Sequence, residues 1–72
     1  MKVTWEANDV QAGMRVRPPS DAAERWIVGY RYDGDCKRLT LVSLNDGLEA
    51  MSGSAGDVAN HLNDSGMLPA DT

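Results

Sequence analysis

The side chains best suited to covalent chemistry are a lone cysteine and a lone histidine. Cys36 precedes Lys37 and Arg38, and neighbouring cations can activate a thiol as a nucleophile. Nucleophilic catalysis also needs a base beside the thiol, and the one histidine, His61, falls in a separate predicted helix. No serine lies in a Gly-x-Ser-x-Gly context. We therefore predict no catalytic residues and a protein that is not an enzyme.

Two aspartates one residue apart form the pattern closest to a metal site. Asp33 and Asp35 flank Gly34, a spacing that also opens calcium loops, but those loops need a glutamate at the twelfth position. Here that position is Leu44, so we interpret Asp-Gly-Asp as a tight turn. The Gly/Ser-rich residues 52–56 lack the lysine of a phosphate-binding loop. We predict no metal and no cofactor.

The most informative stretch is both aromatic and basic and runs from Trp26 to Tyr32. Exposed aromatic rings beside arginines can stack on single-stranded nucleic acid or form hot spots for a protein partner. The chain has two Trp, two Tyr and no Phe, so its core needs the same rings, and for the set we favour core over binding face. We expect Trp26 and Val28 inside and Tyr30 or Tyr32 at the rim. The candidate binding residues are Arg15, Arg17, Tyr30, Arg31 and Tyr32.

Alternation of apolar and polar side chains predicts the strands that position these residues. In residues 25–32 the alternation places the aromatic rings and Val28 on one face and Arg31 on the other. Turn-forming residues at 33–35 and 45–47 separate this strand from two more, which gives an antiparallel meander. The predicted strands cover residues 2–6, 14–17, 25–32, 37–44 and 48–52.

The period changes to that of a helix after residue 53. Ser54 is a good N-cap with Asp57 as its capping-box partner, and Gly66 supplies a left-handed stop. An apolar stripe at helical spacing lies between them, formed by Ala55, Val58, Ala59 and Leu62. A helix over residues 54–65 is too short to be stable alone, so we expect it to dock on the meander.

Length and composition complete the fold prediction. Seventy-two residues with 42% hydrophobic content allow one small domain over residues 1–72. We predict a mostly β fold: a small SH3-like antiparallel barrel or bent meander of four to five strands with one C-terminal helix. No membrane segment or signal peptide is evident, and the one cysteine cannot form an internal disulfide, so we expect a cytoplasmic protein.

Charge argues against a general nucleic-acid binder. The net charge is −4, whereas affinity for nucleic acid depends on neutralising phosphates. The charge is segregated, however: residues 14–38 hold six of the seven Lys and Arg side chains, and residues 39–72 hold none. We interpret this mainly as attraction between the two halves or as a contribution to solubility. A bipolar surface that steers a charged partner is the alternative.

One part of the chain resembles a known enzyme family. The segments Gly13-Met14-Arg15-Val16-Arg17 and Ile27-Val28-Gly29-Tyr30, with Ser20 and Ala22-Ala23 between them, resemble the first half of the plasmid-borne type II dihydrofolate reductases over about residues 13–30. Those enzymes are SH3-like barrels that assemble as tetramers around a pore, so the resemblance implies an SH3-like fold. Pro18-Pro19 replaces the family's lysine-containing step, and the pore-lining Val-Gln-Ile-Tyr segment has no counterpart. The resemblance therefore carries no catalytic residue to this chain.

These observations lead to a ranked set of functional expectations. The first is a non-enzymatic SH3-like module that binds a protein partner or forms a homodimer. The second is a nucleic-acid contact module that uses Arg15, Arg17, Arg31 and the tyrosines. A reductase-like subunit and an acidic decoy acting through residues 46–71 rank lower. The segment Leu41-Val42-Ser43-Leu44-Asn45-Asp46-Gly47, followed by the predicted helix up to Gly66 and by Leu68-Pro69, is also similar to small uncharacterised phage and bacterial proteins. This resemblance implies a phage or mobile-element origin and no activity.

Overall fold

The computed structural model describes residues 3–21 and 23–70. It contains a short 3₁₀ turn (Ala7–Asp9) and helix α1 (Ala55–Ser65). The strands are β1 (Arg15–Arg17), β2 (Trp26–Asp33), β3 (Cys36–Ser43), β4 (Glu49–Gly53) and β5 (Leu68–Pro69). They form one antiparallel sheet in the order β4-β3-β2-β1-β5. The protein is mostly β with one C-terminal helix, as predicted.

The central meander of β2, β3 and β4 follows the sequence prediction to within a residue or two. Asp33 pairs with Cys36 across a two-residue turn, and Gly34 in that turn has φ = 63°. Gly47 closes the second turn at φ = 76°, and its backbone N–H donates to the Ser43 carbonyl. Both glycines occupy the left-handed region that side chains with a Cβ rarely adopt. The turn chemistry therefore fixes the register of all three strands.

Helix α1 begins and ends at the predicted caps. The Ser54 hydroxyl accepts from the Asp57 backbone N–H, the Asp57 carboxylate accepts from the Ser54 backbone N–H, and Gly66 is left-handed at φ = 66°. The buried face of α1 contacts the sheet through one apolar cluster, whose helix members are Val58, Ala59 and Leu62 and whose sheet members are Val16, Val28 and Leu41. A helix of this length is held by that packing.

The sheet is open, so the predicted barrel is not closed. Strand β1 has three residues and β5 has two, and in the described residues β4 and β5 are the unpaired edges. Prolines limit both short strands: Pro18 and Pro19 follow β1, and Pro69 lies within β5. Because proline has no N–H to donate to a ladder, these strands cannot extend around the core. Helix α1 covers the face of the sheet that a closed barrel would bury.

The strand predicted over residues 2–6 is wrong in its described part, residues 3–6. The side-chain amide of Asn63 satisfies the backbone of Trp5 in place of a neighbouring strand: Asn63 Oδ1 accepts from the Trp5 N–H at 2.7 Å, and Asn63 Nδ2 donates to the Trp5 carbonyl at 2.8 Å. The indole N–H of Trp5 donates to the Met67 carbonyl. The N-terminal segment is therefore fastened to the end of α1 and does not join the sheet.

The fifth strand lies instead at the other end of the chain and was not predicted. Leu68 pairs with Arg17, Pro69 pairs with Val16, and the Ala70 N–H donates to the Arg15 carbonyl at 3.0 Å. In the sequence, Pro69 reads only as a barrier to further helix. A proline is tolerated here because β5 is an edge strand.

Candidate functional site

The β2–β3 hairpin extends beyond the elements on either side of it. Strand β1 pairs with β2 only at Trp26 and Ile27, and the last pair between β3 and β4 is Leu39 with Gly53. The strands of the hairpin remain paired from residue 30 to residue 38, yet each of these nine residues is exposed. We call residues 30–38 the hairpin arm.

The two tyrosines of the arm are on the surface. Tyr30 is 54% exposed and Tyr32 is 68% exposed, whereas Val28, on the same face of the same strand, is fully buried. The expectation that places Trp26 and Val28 inward is confirmed, since Trp26 is half-buried and packs against the core. Tyr30 or Tyr32 was expected at the rim, and both are exposed, so the general preference for core does not hold for either ring. Among the described residues, α1 and the segment before β1 pack on the inner part of this face, and they leave the tyrosines exposed.

A cation–π contact organises the tyrosine side of the arm. The Lys37 Nζ lies 3.7 Å from the centroid of the Tyr30 ring, within the range of a favourable interaction. Beside it is a surface hollow of about 450 Å³ between the arm and residues 10–12. Its lining consists of Val10, Gln11, Ala12, Tyr30, Lys37, Arg38 and Leu39. The lining thus combines apolar residues, one aromatic ring and two cations, with no acidic residue.

The arginines among the candidate residues lie on the other face of the sheet. Arg31 pairs with Arg38 and Arg15 pairs with Ile27, and paired residues share a face. Arg15 precedes the buried Val16, and Arg31 and Arg38 lie three residues from the buried Val28 and Leu41. Because side chains alternate along a strand, all three arginines are on the face opposite α1. Arg17 is half-buried, and its Nη1 donates to the Pro18 carbonyl at 3.5 Å. The structure therefore does not bring the five candidate residues together: the tyrosines and the arginines form two separate surfaces.

Arg31 is engaged in a small polar network on that arginine face. Its Nη1 donates to Glu49 Oε1 at 2.7 Å, and the buried Thr40 hydroxyl donates to Glu49 Oε2 at 2.6 Å. The hydrogen bond from Thr40, followed by the hydrogen bond and positive charge of Arg31, lowers the pKa of Glu49 from its ordinary value of 4.5. The network anchors β4 to the base of the arm and occupies the guanidinium proposed for binding.

Cys36 and the acidic turn show no catalytic arrangement in the described residues. Cys36 is a free, exposed thiol on a second hollow of about 360 Å³, whose lining includes Asp57 and does not include His61. The Asp57 carboxylate is already an acceptor in the helix cap. Within residues 3–21 and 23–70, no group of three or more His, Cys, Asp or Glu side chains is placed to hold a metal ion.

Sequence reasoning missed Lys37, Leu39 and the 10–12 segment as neighbours of the tyrosines. A usable signal was present for the first two. With a two-residue turn at Gly34-Asp35, counting back along both strands pairs Tyr32 with Lys37 and Tyr30 with Leu39. The 10–12 segment had no such signal, because its position depends on long-range packing.

Comparison with protein-family models, with curated proteins and with solved structures finds no match to this chain. None of the helices in the part of the chain that the structure describes is long and apolar enough to cross a membrane. The functional proposals therefore rest on the residues of this chain alone.

Proposed function

We propose that the protein is a small non-enzymatic, SH3-like binding module that contacts a partner protein through the tyrosine side of the hairpin arm. The observation that carries this proposal is the exposure of nine consecutive residues, Tyr30 and Tyr32 among them, on a paired hairpin. The arm contributes little to the core, so its aromatic residues are not explained by folding. The return of β5 to β1 supports the SH3-like part of the proposal.

Tyrosine on a paired hairpin suits protein recognition for two physical reasons. A tyrosine ring offers a large contact area with few rotatable bonds, and tyrosine is enriched among residues that dominate binding energy. The arm is already ordered by strand pairing, and Lys37 restricts the Tyr30 ring further. Less conformational entropy is then lost on association.

The arm also has free strand edges that a partner could use. No strand lies beside Tyr30 and Tyr32 on the β1 side or beside Lys37 on the β4 side in the described residues. Unpaired backbone groups along an edge can accept a strand from another chain. A second copy of this chain is one such partner, so the proposal includes a homodimer.

A second candidate function, nucleic-acid contact, is favoured by one observation. Arg15, Arg31 and Arg38 share the sheet face that α1 leaves uncovered. Two features oppose this function: Glu49 engages Arg31, and the chain carries a net charge of −4. This candidate predicts salt-dependent binding of single-stranded oligonucleotides that weakens in Arg15→Ala, while Tyr32→Ala leaves it unchanged.

Capture of partners by the immobilised full chain tests the leading proposal. The variant Tyr30→Ala/Tyr32→Ala removes the exposed rings, and Leu44→Ala/Leu48→Ala is the matched control. Those leucines are 48% and 66% exposed in the turn between β3 and β4, at the opposite end of β3. We expect the tyrosine variant to lose captured protein or self-association and the leucine variant to keep it, with or without nuclease.

Three results would overturn this proposal. One is equal capture by both variants, which would place the contact elsewhere. Another is capture that disappears after nuclease treatment, which would favour the arginine face. The third is a wild-type chain that neither self-associates on size-exclusion chromatography nor retains any protein.

A further inference from the structure

The hollow beside the hairpin arm has a chemical composition that identifies a class of partner. Its lining combines three apolar residues, Val10, Ala12 and Leu39, with Tyr30 and Lys37. Lys37 is its cation on the tyrosine face, Arg38 borders it from a position on the opposite face, and none of its lining residues is acidic. In a chain with eleven acidic and seven basic side chains, a concave surface with cations alone stands apart from the average surface.

Lys37 and Arg38, which line this hollow, have no carboxylate partner among residues 3–21 and 23–70. In the described residues the ion pair is that between Arg31 and Glu49. Lys37 rests on the Tyr30 ring, and neither Lys37 nor Arg38 forms an ion pair or side-chain hydrogen bond with another described residue. The second hollow differs, since Asp57 lies in its lining with the same two cations. The hollow on the 10–12 side therefore has no acidic residue in its lining, and Lys37 forms no ion pair within the described residues.

We propose that this hollow binds an acidic peptide segment of the partner protein, with alternating carboxylate and apolar side chains. This inference rests on the proposed function and specifies its partner. An extended peptide points successive side chains to opposite sides, so its carboxylates reach Lys37 while its apolar residues contact Val10 and Leu39. Charge complementarity selects the partner, because a basic peptide would meet like charge.

A direct binding measurement tests this assignment on the full chain. The probe is an N-acetylated, fluorescein-labelled peptide of sequence Glu-Ile-Glu-Ile-Glu, followed by fluorescence anisotropy at low ionic strength. The peptides Gln-Ile-Gln-Ile-Gln and Lys-Ile-Lys-Ile-Lys are the charge controls. We expect the acidic probe to bind more tightly than both, by about tenfold or more, and to weaken as salt is added.

Two charge-matched variants locate the binding site on the protein. Lys37→Met keeps an aliphatic stem in the hollow and removes its charge, and Arg15→Met removes one positive charge from the opposite sheet face. Both residues are exposed, so neither substitution leaves an unpaired buried group. We expect Lys37→Met to weaken binding of the acidic probe by about tenfold, and Arg15→Met to change it less than about twofold.

Each alternative occupant gives a distinct result that would overturn the inference. If Lys37→Met and Arg15→Met weaken binding of the acidic probe equally, the probe is held by the overall charge of the protein and not by this hollow. Binding of a labelled oligothymidylate that depends on Lys37, without binding of the acidic peptide, indicates a phosphate ligand. Self-association that Lys37→Met abolishes, again without peptide binding, indicates a second copy of this chain. If the acidic peptide does not bind but capture of a partner still depends on the tyrosines, this inference is wrong and the proposed function stands. If neither the peptide nor a partner binds, both are wrong.

Discussion

The two halves of the β2–β3 hairpin share the same strands and register but differ in burial. In the inner half Val28 pairs with Leu41, and both side chains are fully buried. In the outer half, only a few residues further along the same face, Tyr32 pairs with Lys37 and both are exposed. The difference is the cover: α1 packs on the inner half, and only its first turn borders the arm, at Asp57. Secondary structure and burial are thus set separately, the first by local pattern and the second by the extent of the covering element.

The largest expected effect comes from a cavity in the inner half. The substitution Leu41→Ala removes a side chain that is completely buried between β2, β4 and α1. We expect it to lower the free energy of unfolding by about 2–5 kcal/mol, because both transfer energy and packing are lost. For a chain of this size, that is a large part of the total stability. Urea denaturation followed by tryptophan fluorescence measures the loss.

Either a chain that no longer folds or a large shift of the midpoint agrees with this prediction. A loss below about 1 kcal/mol would contradict it, because a core leucine costs more than that. Such a result would mean that the inner half is no more tightly packed than the arm.

A smaller, pH-dependent effect is expected at the boundary between the halves. Glu49 has a lowered pKa in the folded protein because Thr40 and Arg31 bind its carboxylate. A carboxylate with a lowered folded pKa stabilises the protein above its unfolded pKa, and this contribution is lost as the pH falls through the folded value. We expect Glu49→Gln to be less stable than wild type at pH 7. The difference between the two should shrink as the pH falls below 4.5.

Unfolding curves of both proteins across that pH range measure this difference. A gap between wild type and Glu49→Gln that is the same at pH 7 and at pH 3 would show that the charge of Glu49 contributes nothing. In that case the arm would be attached to β4 by backbone pairing alone.

The smallest effect on stability is expected in the arm. Tyr30→Ala/Tyr32→Ala removes two large rings that are more than half exposed, and surface substitutions of this kind change stability by about 0.5 kcal/mol or less each. The contact between Lys37 and the Tyr30 ring adds about 0.5–1 kcal/mol at an exposed site. We expect the free energy of unfolding of the double variant to lie within about 2 kcal/mol of the wild-type value. Urea denaturation measures this difference. A loss as large as that of Leu41→Ala would place the tyrosines in the core.

Local rules were enough to predict the meander and the helix. The left-handed glycines Gly34, Gly47 and Gly66 and the Ser54 cap act through their immediate neighbours, so the sequence contains the whole signal for them. The N-terminal segment and β5 depend on contacts far along the chain. The amide of Asn63 captures the backbone of Trp5 fifty-eight positions away, and no local pattern indicates this.

The candidate site was predicted in its residues and not in its arrangement. In a strand, successive side chains point to opposite faces, so Tyr30 and Tyr32 lie on one face and Arg31 on the other. One flat binding surface therefore cannot include all three residues. The sequence predicts Tyr30 or Tyr32 at the rim, but it does not predict that both are exposed. Their exposure depends on where α1 ends relative to the sheet, which is a property of packing in three dimensions.

The claim that the arm is ordered but lies outside the cooperative core can be tested through its backbone amides. The Val28 N–H donates to the Met14 carbonyl, and the Val28 carbonyl accepts from the Gly13 N–H. Because backbone groups alternate along a strand, the amides of Gly29 and Thr40 face each other across the inner half. By the same alternation, those of Arg31 and Arg38 face each other across the arm.

Native-state hydrogen exchange of these four amides, followed by NMR, is the most direct test. We predict that Gly29 and Thr40 exchange only with global unfolding, whereas Arg31 and Arg38 are protected but exchange through local opening at a lower free energy. Exchange of all four amides at one free energy would make the arm part of the core. Arg31 and Arg38 amides without any protection would show that no ordered arm exists.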